Sequence, residues 1–561
     1  MTAGTRLANG GGQRTQRSRA SRLAQASLGT AAGTLLSRVT GMLRLVVVAF
    51  ALGGGRVADA FNLANNTPNM IHDLVLGGVL AATFVPVFIE RLTTRAAHEA
   101  EESISAVVTL AAVVLVVTTA LFVIAAPEIV TVYGGGTLSA PEHNLAVDLL
   151  RLFAPQLLFY GAISLISAVL ATRDRFVSVG AVPILNNIVS IGVLLAFAAS
   201  AHRDIQPNGV VHDFGLLLLL GAGTTAGVAV QALALLPSLR SSGARLSFVW
   251  RPSDPAVRRI LSLSGWTFGF VVANQVALFV VLALEVHLSR QVPGSVSAYT
   301  YAFQFFVFPF AVVAVSVVNV ASPDLARAWS RGDLMGLGRR LGTATRQTLA
   351  LVLPATVGYL LLARPIVSLL LRHHAMTASS ADLTASVLVM FALGLPGFCV
   401  FFLAIRAFQS MQDTRTAFVL YVLENGTNLL FAALFYHSLA VKGLALSYSI
   451  AYSVAAVVAL VLLRERLGTI GGKALWSATA RAAILSVLMA FAVALVSAAL
   501  GSSDTGAAGW FSLVCSVAAG AAVYLGGAGV AGSLADWQTS RRRSGSRKHS
   551  RRTRGRYSGH H

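Results

Sequence analysis

Charged residues are scarce in this chain: Asp, Glu, Lys and Arg make up 12% of the 561 residues, whereas 55% are hydrophobic. Soluble globular proteins carry about 25% charged residues, so the composition excludes an ordinary soluble protein. Cysteine is nearly absent as well, because Cys399 and Cys515 are the only two and both lie in apolar stretches. Two isolated cysteines exclude a disulfide framework and a cysteine-based metal site.

The sequence also lacks the motifs of the common enzyme classes. It contains no glycine-rich phosphate-binding loop and no paired Cys or His at metal-ligand spacing. It also has no acidic cluster of the kind that a lipid-linked glycosyltransferase carries in an outer loop. We therefore predict that the protein is not an enzyme and needs no cofactor.

Acidic residues are about half as numerous as basic ones, at 22 against 43, which gives a formal net charge of +21. Nine basic residues lie at 541–556, five lie at 6–22, and most others lie in alternate loops between apolar stretches. An excess of Lys and Arg in alternate loops marks the cytoplasmic side of a membrane protein. The charge therefore predicts a topology with both termini in the cytoplasm, and it does not indicate a nucleic-acid partner.

Long apolar stretches recur from residue 28 to residue 531. Each is long enough to cross a bilayer as a helix, so the sequence predicts an all-α polytopic membrane protein with about 14 transmembrane helices. The predicted spans are 27–52, 58–90, 102–126, 144–171, 177–201, 214–238, 256–288, 295–325, 345–371, 383–411, 415–438, 441–464, 476–500 and 508–533.

A weak internal repeat divides these spans into two halves. The second span opens with AFNLA at residues 60–64, and the eighth opens with AYTYA at residues 298–302. Parallel repeats of this kind occur in transporters that bind their cargo between the halves. We predict two six-helix lobes around a central cavity, plus two extra C-terminal helices. The corresponding boundaries are a basic N-terminal segment at 1–26, an N-lobe at 27–250, a C-lobe at 251–470, the last two spans at 471–534, and a basic tail at 535–561.

Two arginines, Arg38 and Arg44, lie inside the first predicted span. A charged side chain at the bilayer centre costs about 3 kcal/mol on insertion scales, so such residues usually face a protein interior or a water-filled cavity. Asp59 follows at the start of the second span. We interpret the set as a cationic cavity for an anionic cargo, in which Asp59 holds one arginine when cargo is absent. The alternative is a structural ion pair between the two spans.

A second group of polar residues lies in the C-terminal half. Glu424 and Asn428 are four residues apart on the eleventh span, hence on one helix face, and Glu285 lies on the seventh span. Oxygen ligands from two helices would bind Na⁺, or a carboxylate would carry a proton as H⁺. These residues are candidates for a coupling-cation site, and the alternative is a transporter driven by the membrane potential alone.

The N-terminal motifs resemble those of a known family. The stretch at residues 37–88, which begins SRVTGMLR and continues with ADAFNLANNTPNM, is similar to the signature of the MurJ (MviN) family. Shorter matches are QDTRT at residues 412–416 and GLALS at residues 443–447. The family comprises fourteen-span lipid II flippases of the multidrug/oligosaccharidyl-lipid/polysaccharide exporter superfamily. The resemblance implies substrate-binding roles for Ser37, Arg38, Arg44, Asp59 and Asn69.

The chain departs from the family pattern at three places. His72 and Asp73 stand where the family commonly has basic residues, Gly77 where it often has Glu, and Gln304 where it commonly has Arg. These differences predict a less cationic cavity than is usual in the family. His72 would add a pH-dependent charge to it, and Gln304 would donate a weak hydrogen bond to the cargo.

The resemblance implies that the chain moves lipid II from the inner to the outer leaflet of the bacterial plasma (inner) membrane by alternating access. Its expected partners are lipid II or a related polyprenyl-pyrophosphate glycolipid, membrane lipids, and cell-wall synthesis proteins. Two alternatives stay open: an exporter of another polyprenyl-linked glycan, and a non-transporting scaffold for cell-wall synthesis.

Overall fold

The computed structural model describes residues 33–77, 83–173, 175–201, 206–501 and 504–554, and this part of the chain is almost entirely helical. The helices of the N-terminal half are α1 (Gly33–Leu52), α2 (Arg56–His72), α3 (Val85–Thr94), α4 (Ala97–Gly134), α5 (Ala140–Phe153), α6 (Gln156–Ala171), α7 (Phe176–Ala181), α8 (Pro183–Ser200), α9 (Pro207–His212), α10 (Phe214–Ala234) and α11 (Leu236–Ser241). Those of the C-terminal half are α12 (Pro255–Leu263), α13 (Gly265–Ser289), α14 (Ser295–Pro309), α15 (Val315–Ser330), α16 (Leu334–Leu371), α17 (Ala378–Ser410), α18 (Thr414–Leu439), α19 (Val441–Leu467), α20 (Gly472–Leu500) and α21 (Gly506–Arg554).

Thirteen helical segments of the described residues are long and apolar enough to cross a membrane, and each overlaps one predicted span. The predicted second span, 58–90, is the fourteenth. It consists of α2, a short π-helix at Asp73–Gly77, and α3, with residues 78–82 outside the described part.

Several helices extend well beyond their predicted spans. Helices α4 and α16 have 38 residues each, which corresponds to about 57 Å at 1.5 Å per residue. That length exceeds the hydrocarbon thickness of about 30 Å, so the ends of both helices project into the aqueous phase. The N-terminal segment 1–26 and the start of the first span at 27–32 lie outside the described residues.

The helices pack into two lobes. In the first half α2 packs on α5, α8 on α10, and α4 on α5 and α6, whereas in the second half α17 packs between α16 and α19, and α18 packs on α19. The lobes meet where α13 and α14 contact α2, and the α20–α21 pair is attached to α16. This is the predicted arrangement of two lobes and two extra helices, while the boundaries at residues 250 and 470 stay predictions.

An aromatic cluster fills the centre of the second lobe. Phe306 of α14 contacts Phe391 and Phe398 of α17, with ring centroids 5.3 Å and 5.0 Å apart. Phe398 in turn contacts Tyr452 of α19 at 4.8 Å. Edge-to-face and offset aromatic pairs contribute beyond simple burial, so these helices are expected to move as one body.

Helices α17 and α19 approach each other closely at two glycines. A Cβ on Gly394 would stand 2.4 Å from the Cα of Ser449, and one on Gly397 would stand 2.7 Å from the Cα of Ser453. Both contacts are with backbone, which cannot move aside as a flexible side chain can. The α17–α19 contact therefore requires residues without a side chain at these positions.

We predict that Gly394→Ala lowers the stability of the protein by about 2 kcal/mol, because the added methyl group overpacks the helix contact. The measurement is thermal unfolding of purified protein in detergent. Gly358→Ala in α16 is the matched control, since a Cβ there would meet nothing within 4 Å. Equal midpoints for the two variants would contradict the packing argument.

Candidate functional site

A polar cavity of about 570 Å³ lies between the two lobes. Helix α1 contributes Ser37, Arg38 and Arg44 to its wall, and α14 contributes Gln304 from the opposite lobe. The structure thus brings four of the predicted substrate-binding residues to one cavity. Their role in binding stays a prediction. The remaining polar wall consists mainly of amide and hydroxyl side chains: Thr34, Asn62, Asn65, Asn66, Asn186, Asn187, Ser190, Thr224 and Thr300.

Arg38 and Arg44 are both half-buried in this wall. Among the described residues, neither guanidinium forms an ion pair with an acidic side chain. Since a guanidinium stays charged in any protein environment, the protein leaves two positive charges facing the cavity. The cavity is therefore suited to an anionic ligand that supplies the missing charge.

Asn187 of α8 holds the cationic helix in place. Its side-chain amide donates to the carbonyl oxygen of Ser37 at 3.1 Å and to the hydroxyl of Thr40 at 2.9 Å. These contacts fix the side of α1 that faces α8 and turn Arg38 and Arg44 toward the cavity.

Asp59 does not hold either arginine, so the predicted pairing is wrong. Its carboxylate accepts hydrogen bonds from the backbone N–H groups of Gly294 and Ser297, both at 2.8 Å. The hydroxyls of Ser289 and Ser297 also donate to it. The reason is distance: α1 continues for about 12 Å beyond Arg44 before it turns into α2. Asp59 thereby caps the first turn of α14, where backbone N–H groups lack helical partners.

This carboxylate belongs to a larger contact between the lobes that we call the closed end. It comprises the glycine turn at residues 53–55, the first turn of α14, and residues 373–380. The Tyr301 hydroxyl donates to the carbonyl of Gly53 at 2.9 Å, and the Ser380 hydroxyl donates to the carbonyl of Gly54 at 3.0 Å. Gly294 lies so close that a Cβ on it would stand 2.1 Å from the same Gly54 oxygen.

Sequence reasoning assigned no role to Ser289, Gly294 or Ser297. The available signal was the short polar segment GSVS at residues 294–297, which stands between two apolar spans. A glycine with a positive φ of 91° followed by serines is suited to start a helix and to expose backbone N–H groups. The sequence cannot show that the acceptor for these groups lies 235 residues away.

His72 and Asn69 do not contribute to the cavity wall, contrary to the prediction. The His72 ring is buried, with its two nitrogens 3.2 Å from Asp73 and from Ser164 of α6. His72 lies ten residues after the cavity-lining Asn62 on α2, so its side chain points about 80° away from that of Asn62 around the helix axis. The Asn69 amide donates to the carbonyl of Asn65 within its own helix, at 3.0 Å.

The candidate cation residues are buried in the second lobe, with Glu285, Glu424 and Asn428 each no more than 5% exposed. Asn428 accepts a hydrogen bond from Ser447 at 2.9 Å. One carboxylate oxygen of Glu424 is buried without a hydrogen-bond partner among the described residues. Burying an ionised carboxylate without a partner costs several kcal/mol, which makes Glu424 a candidate for neutralisation by a proton or a cation.

The sequence and the fold both relate the chain to proteins of one family. The family model described as "Lipid II flippase MurJ" matches residues 48–508. A "Probable lipid II flippase MurJ" of Rhizobium meliloti (strain 1021) is 28% identical over 426 residues, which cover 73% of this chain and 75% of that protein. A "Lipid II flippase MurJ" of Burkholderia cenocepacia is 27% identical over 444 residues, covering 77% and 82%.

Solved structures show the same fold. One described as "Lipid II flippase MurJ, inward closed conformation" superposes with a TM-score of 0.72 at 22% identity, over 89% of this chain and 98% of that one. An inward-facing multidrug transporter of the MATE family, in the MOP superfamily, superposes with a TM-score of 0.62 at 15% identity, over 76% and 94%. Since the family model spans most of the chain, this protein belongs to the MurJ lipid II flippase family.

Proposed function

We propose that this chain flips lipid II from the inner to the outer leaflet of the bacterial inner membrane by alternating access, without a catalytic step. The observation that supports this most is that Arg38 and Arg44 line a cavity between two lobes and have no acidic partner among the described residues. The identity of the proposed cargo is taken from the names of the relatives. In this proposal both termini lie in the cytoplasm, and membrane lipids and cell-wall synthesis proteins are its further partners.

The cargo carries a pyrophosphate that must cross about 30 Å of hydrocarbon. Moving a bare ion into a medium of low dielectric constant costs of order 20 kcal/mol by the Born estimate. Guanidinium groups offset this cost, because they form bidentate, charge-assisted hydrogen bonds with phosphate oxygens. We assign this role to Arg38 and Arg44, and weaker hydrogen bonds with the sugar or phosphate to Ser37 and Gln304.

The closed end lies on the outer side in the proposed topology, so in this proposal the structure is sealed toward the outer leaflet. The cavity reaches Thr34 and Val179, near the cytoplasmic ends of α1 and α7. Release to the outer leaflet requires the Asp59 contacts to break and an equivalent seal to form on the inner side. Two such states, each stabilised by a few contacts, satisfy the requirement for alternating access.

A second cargo class is favoured by one observation. Gln304 lies on the cavity wall opposite α1 and is neutral, so this position adds no positive charge to that wall. A different polyprenyl-linked glycan would fit such a cavity equally well. Transport assays with lipid II and with a glycan that lacks the peptide distinguish the two.

We also propose that Glu424, with Glu285 and Asn428, forms a coupling site for H⁺ or Na⁺. The supporting observation is the buried oxygen of Glu424 that lacks a partner among the described residues. Coupling to the membrane potential alone is the alternative.

The Arg38→Ala, Arg44→Ala double variant is expected to flip labelled lipid II at least about 100-fold more slowly in proteoliposomes, because two charged hydrogen-bonding groups are lost. The control is Arg406→Ala, an exposed arginine whose guanidinium donates a hydrogen bond to Gln409 and does not line the cavity. A double variant as fast as the control would refute the proposed role of the arginines and favour the scaffold alternative.

Asp59→Asn is expected to loosen the closed end, since the charged acceptor for four donors becomes a neutral amide. The reporter is Ala298→Cys, at a position that is buried in the first turn of α14. We predict that maleimide labels it about tenfold faster in the Asp59→Asn variant than in the protein with Asp59. Cys399 and Cys515 are replaced by alanine in all variants. Asp382→Asn, an exposed acid paired with Arg364, serves as the control and should leave the labelling rate unchanged.

Glu424→Gln is expected to keep basal flipping but to lose its acceleration by an imposed H⁺ or Na⁺ gradient. The assay is the same proteoliposome measurement, with and without each gradient and with the membrane potential clamped. Glu465→Gln, an exposed acid on α19, is the control. If the variant and the parent respond equally, coupling does not run through Glu424.

A further inference from the structure

A second open pocket, of about 500 Å³, lies where α19 ends and α20 begins. Arg464, Lys473 and Trp476 contribute side chains to it, together with the connecting loop at residues 468–472. It is separate from the cavity between the lobes, with which it shares no residue of its wall.

The loop that forms the floor of this pocket is anchored rigidly on α16. A Cβ on Gly338 would stand 2.2 Å from the carbonyl oxygen of Thr469, and one on Gly342 would stand 2.2 Å from that of Ile470. Gly468 and Gly471 have φ angles of 74° and 72°, which few residues other than glycine adopt. The close contacts of this loop therefore fix the shape of the pocket between the second lobe and the α20–α21 pair.

The positive charge of this pocket is not compensated by the protein. Among the described residues, neither Arg464 nor Lys473 forms an ion pair, whereas the neighbouring Arg466 is held by Asp413. The Arg346 guanidinium adds a third cation close to the loop, 3.8 Å from where a Cβ on Gly471 would stand. Arg464 and Lys473 are exposed, so both are accessible to an anionic group.

Trp476 locates the pocket relative to the bilayer. Its side chain is 77% exposed at the start of α20, a helix that runs on into an apolar, membrane-crossing segment. Exposed tryptophan together with Lys and Arg is characteristic of the boundary between hydrocarbon and water, at the level of lipid headgroups. The pocket thus opens where lipid phosphates are found.

We propose that this pocket binds the phosphate group of a lipid in the adjacent leaflet, with Arg464 and Lys473 as its ligands and Trp476 against the upper part of the lipid chain. Its volume lies within the range of about 300–1,000 Å³ that is usual for small-ligand sites. A lipid bound there contacts both the second lobe and the α20–α21 pair, and it stabilises their association. The assignment of this leaflet as cytoplasmic rests on the proposed topology, but the binding itself does not rest on flipping.

The test uses the full-length protein with Trp476 as its single tryptophan, the other five being replaced by phenylalanine, in nanodiscs of defined composition. Brominated phosphatidylglycerol is expected to quench Trp476 at a lower mole fraction than brominated phosphatidylcholine. In the Arg464→Gln, Lys473→Gln variant, half-maximal quenching by phosphatidylglycerol should require about tenfold more lipid. The matched control is Arg240→Gln with Arg245→Gln, two exposed arginines in the α10–α12 segment.

Equal quenching by the two lipids, or an unchanged midpoint in the Arg464→Gln, Lys473→Gln variant, overturns the proposal. A short-chain prenyl diphosphate, added to the nanodiscs, identifies the source of the phosphate. Displacement of phosphatidylglycerol at near-stoichiometric amounts assigns the pocket to the polyprenyl cargo, and lack of displacement assigns it to a bulk phospholipid. Both of these outcomes support a lipid-phosphate site. The readout is binding, so it is independent of whether the chain transports lipid II.

Discussion

The main electrostatic constraint on this structure is that Arg38 and Arg44 line the cavity without an acidic partner among the described residues. A buried cation without a counter-ion is tolerated only where water or a ligand can reach it. The space between the lobes must therefore stay polar and accessible. Asn187 contributes by holding α1 on α8, so that both guanidiniums face this space.

Because Asp59 is not paired with either arginine, cargo binding and closure of the outer end depend on different residues. If Asp59 neutralised an arginine, cargo would have to displace it, and the affinity for cargo would be reduced accordingly. The carboxylate is instead saturated by backbone and hydroxyl donors of α13 and α14 at the closed end. The electrostatics of the cavity and the strength of the seal can therefore vary independently of each other.

Hydropathy predicted the helical class and the spans, because burial in a bilayer leaves a long-range apolar pattern in the sequence, and the weak internal repeat predicted the two lobes. The cost of burying charge placed Arg38 and Arg44 on a cavity wall. The partners of Asp59 were not predictable, since backbone N–H groups carry no residue signature. The orientation of His72 was missed for a related reason: its contacts with Ser164 and Tyr160 depend on how α2 and α6 pack.

The glycine turn between α1 and α2 has a consequence for how the family can diverge. Gly53 and Gly54 meet the second lobe largely through main-chain oxygen atoms, against Ala375, Gly294 and Ser380. On the side of the glycine turn the acceptors are main-chain oxygens, which a substitution does not remove, whereas Tyr301 and Ser380 donate to them through side-chain hydroxyls. Side chains at neighbouring positions can therefore change in size and polarity, whereas the glycines of this contact cannot gain a methyl group without a clash.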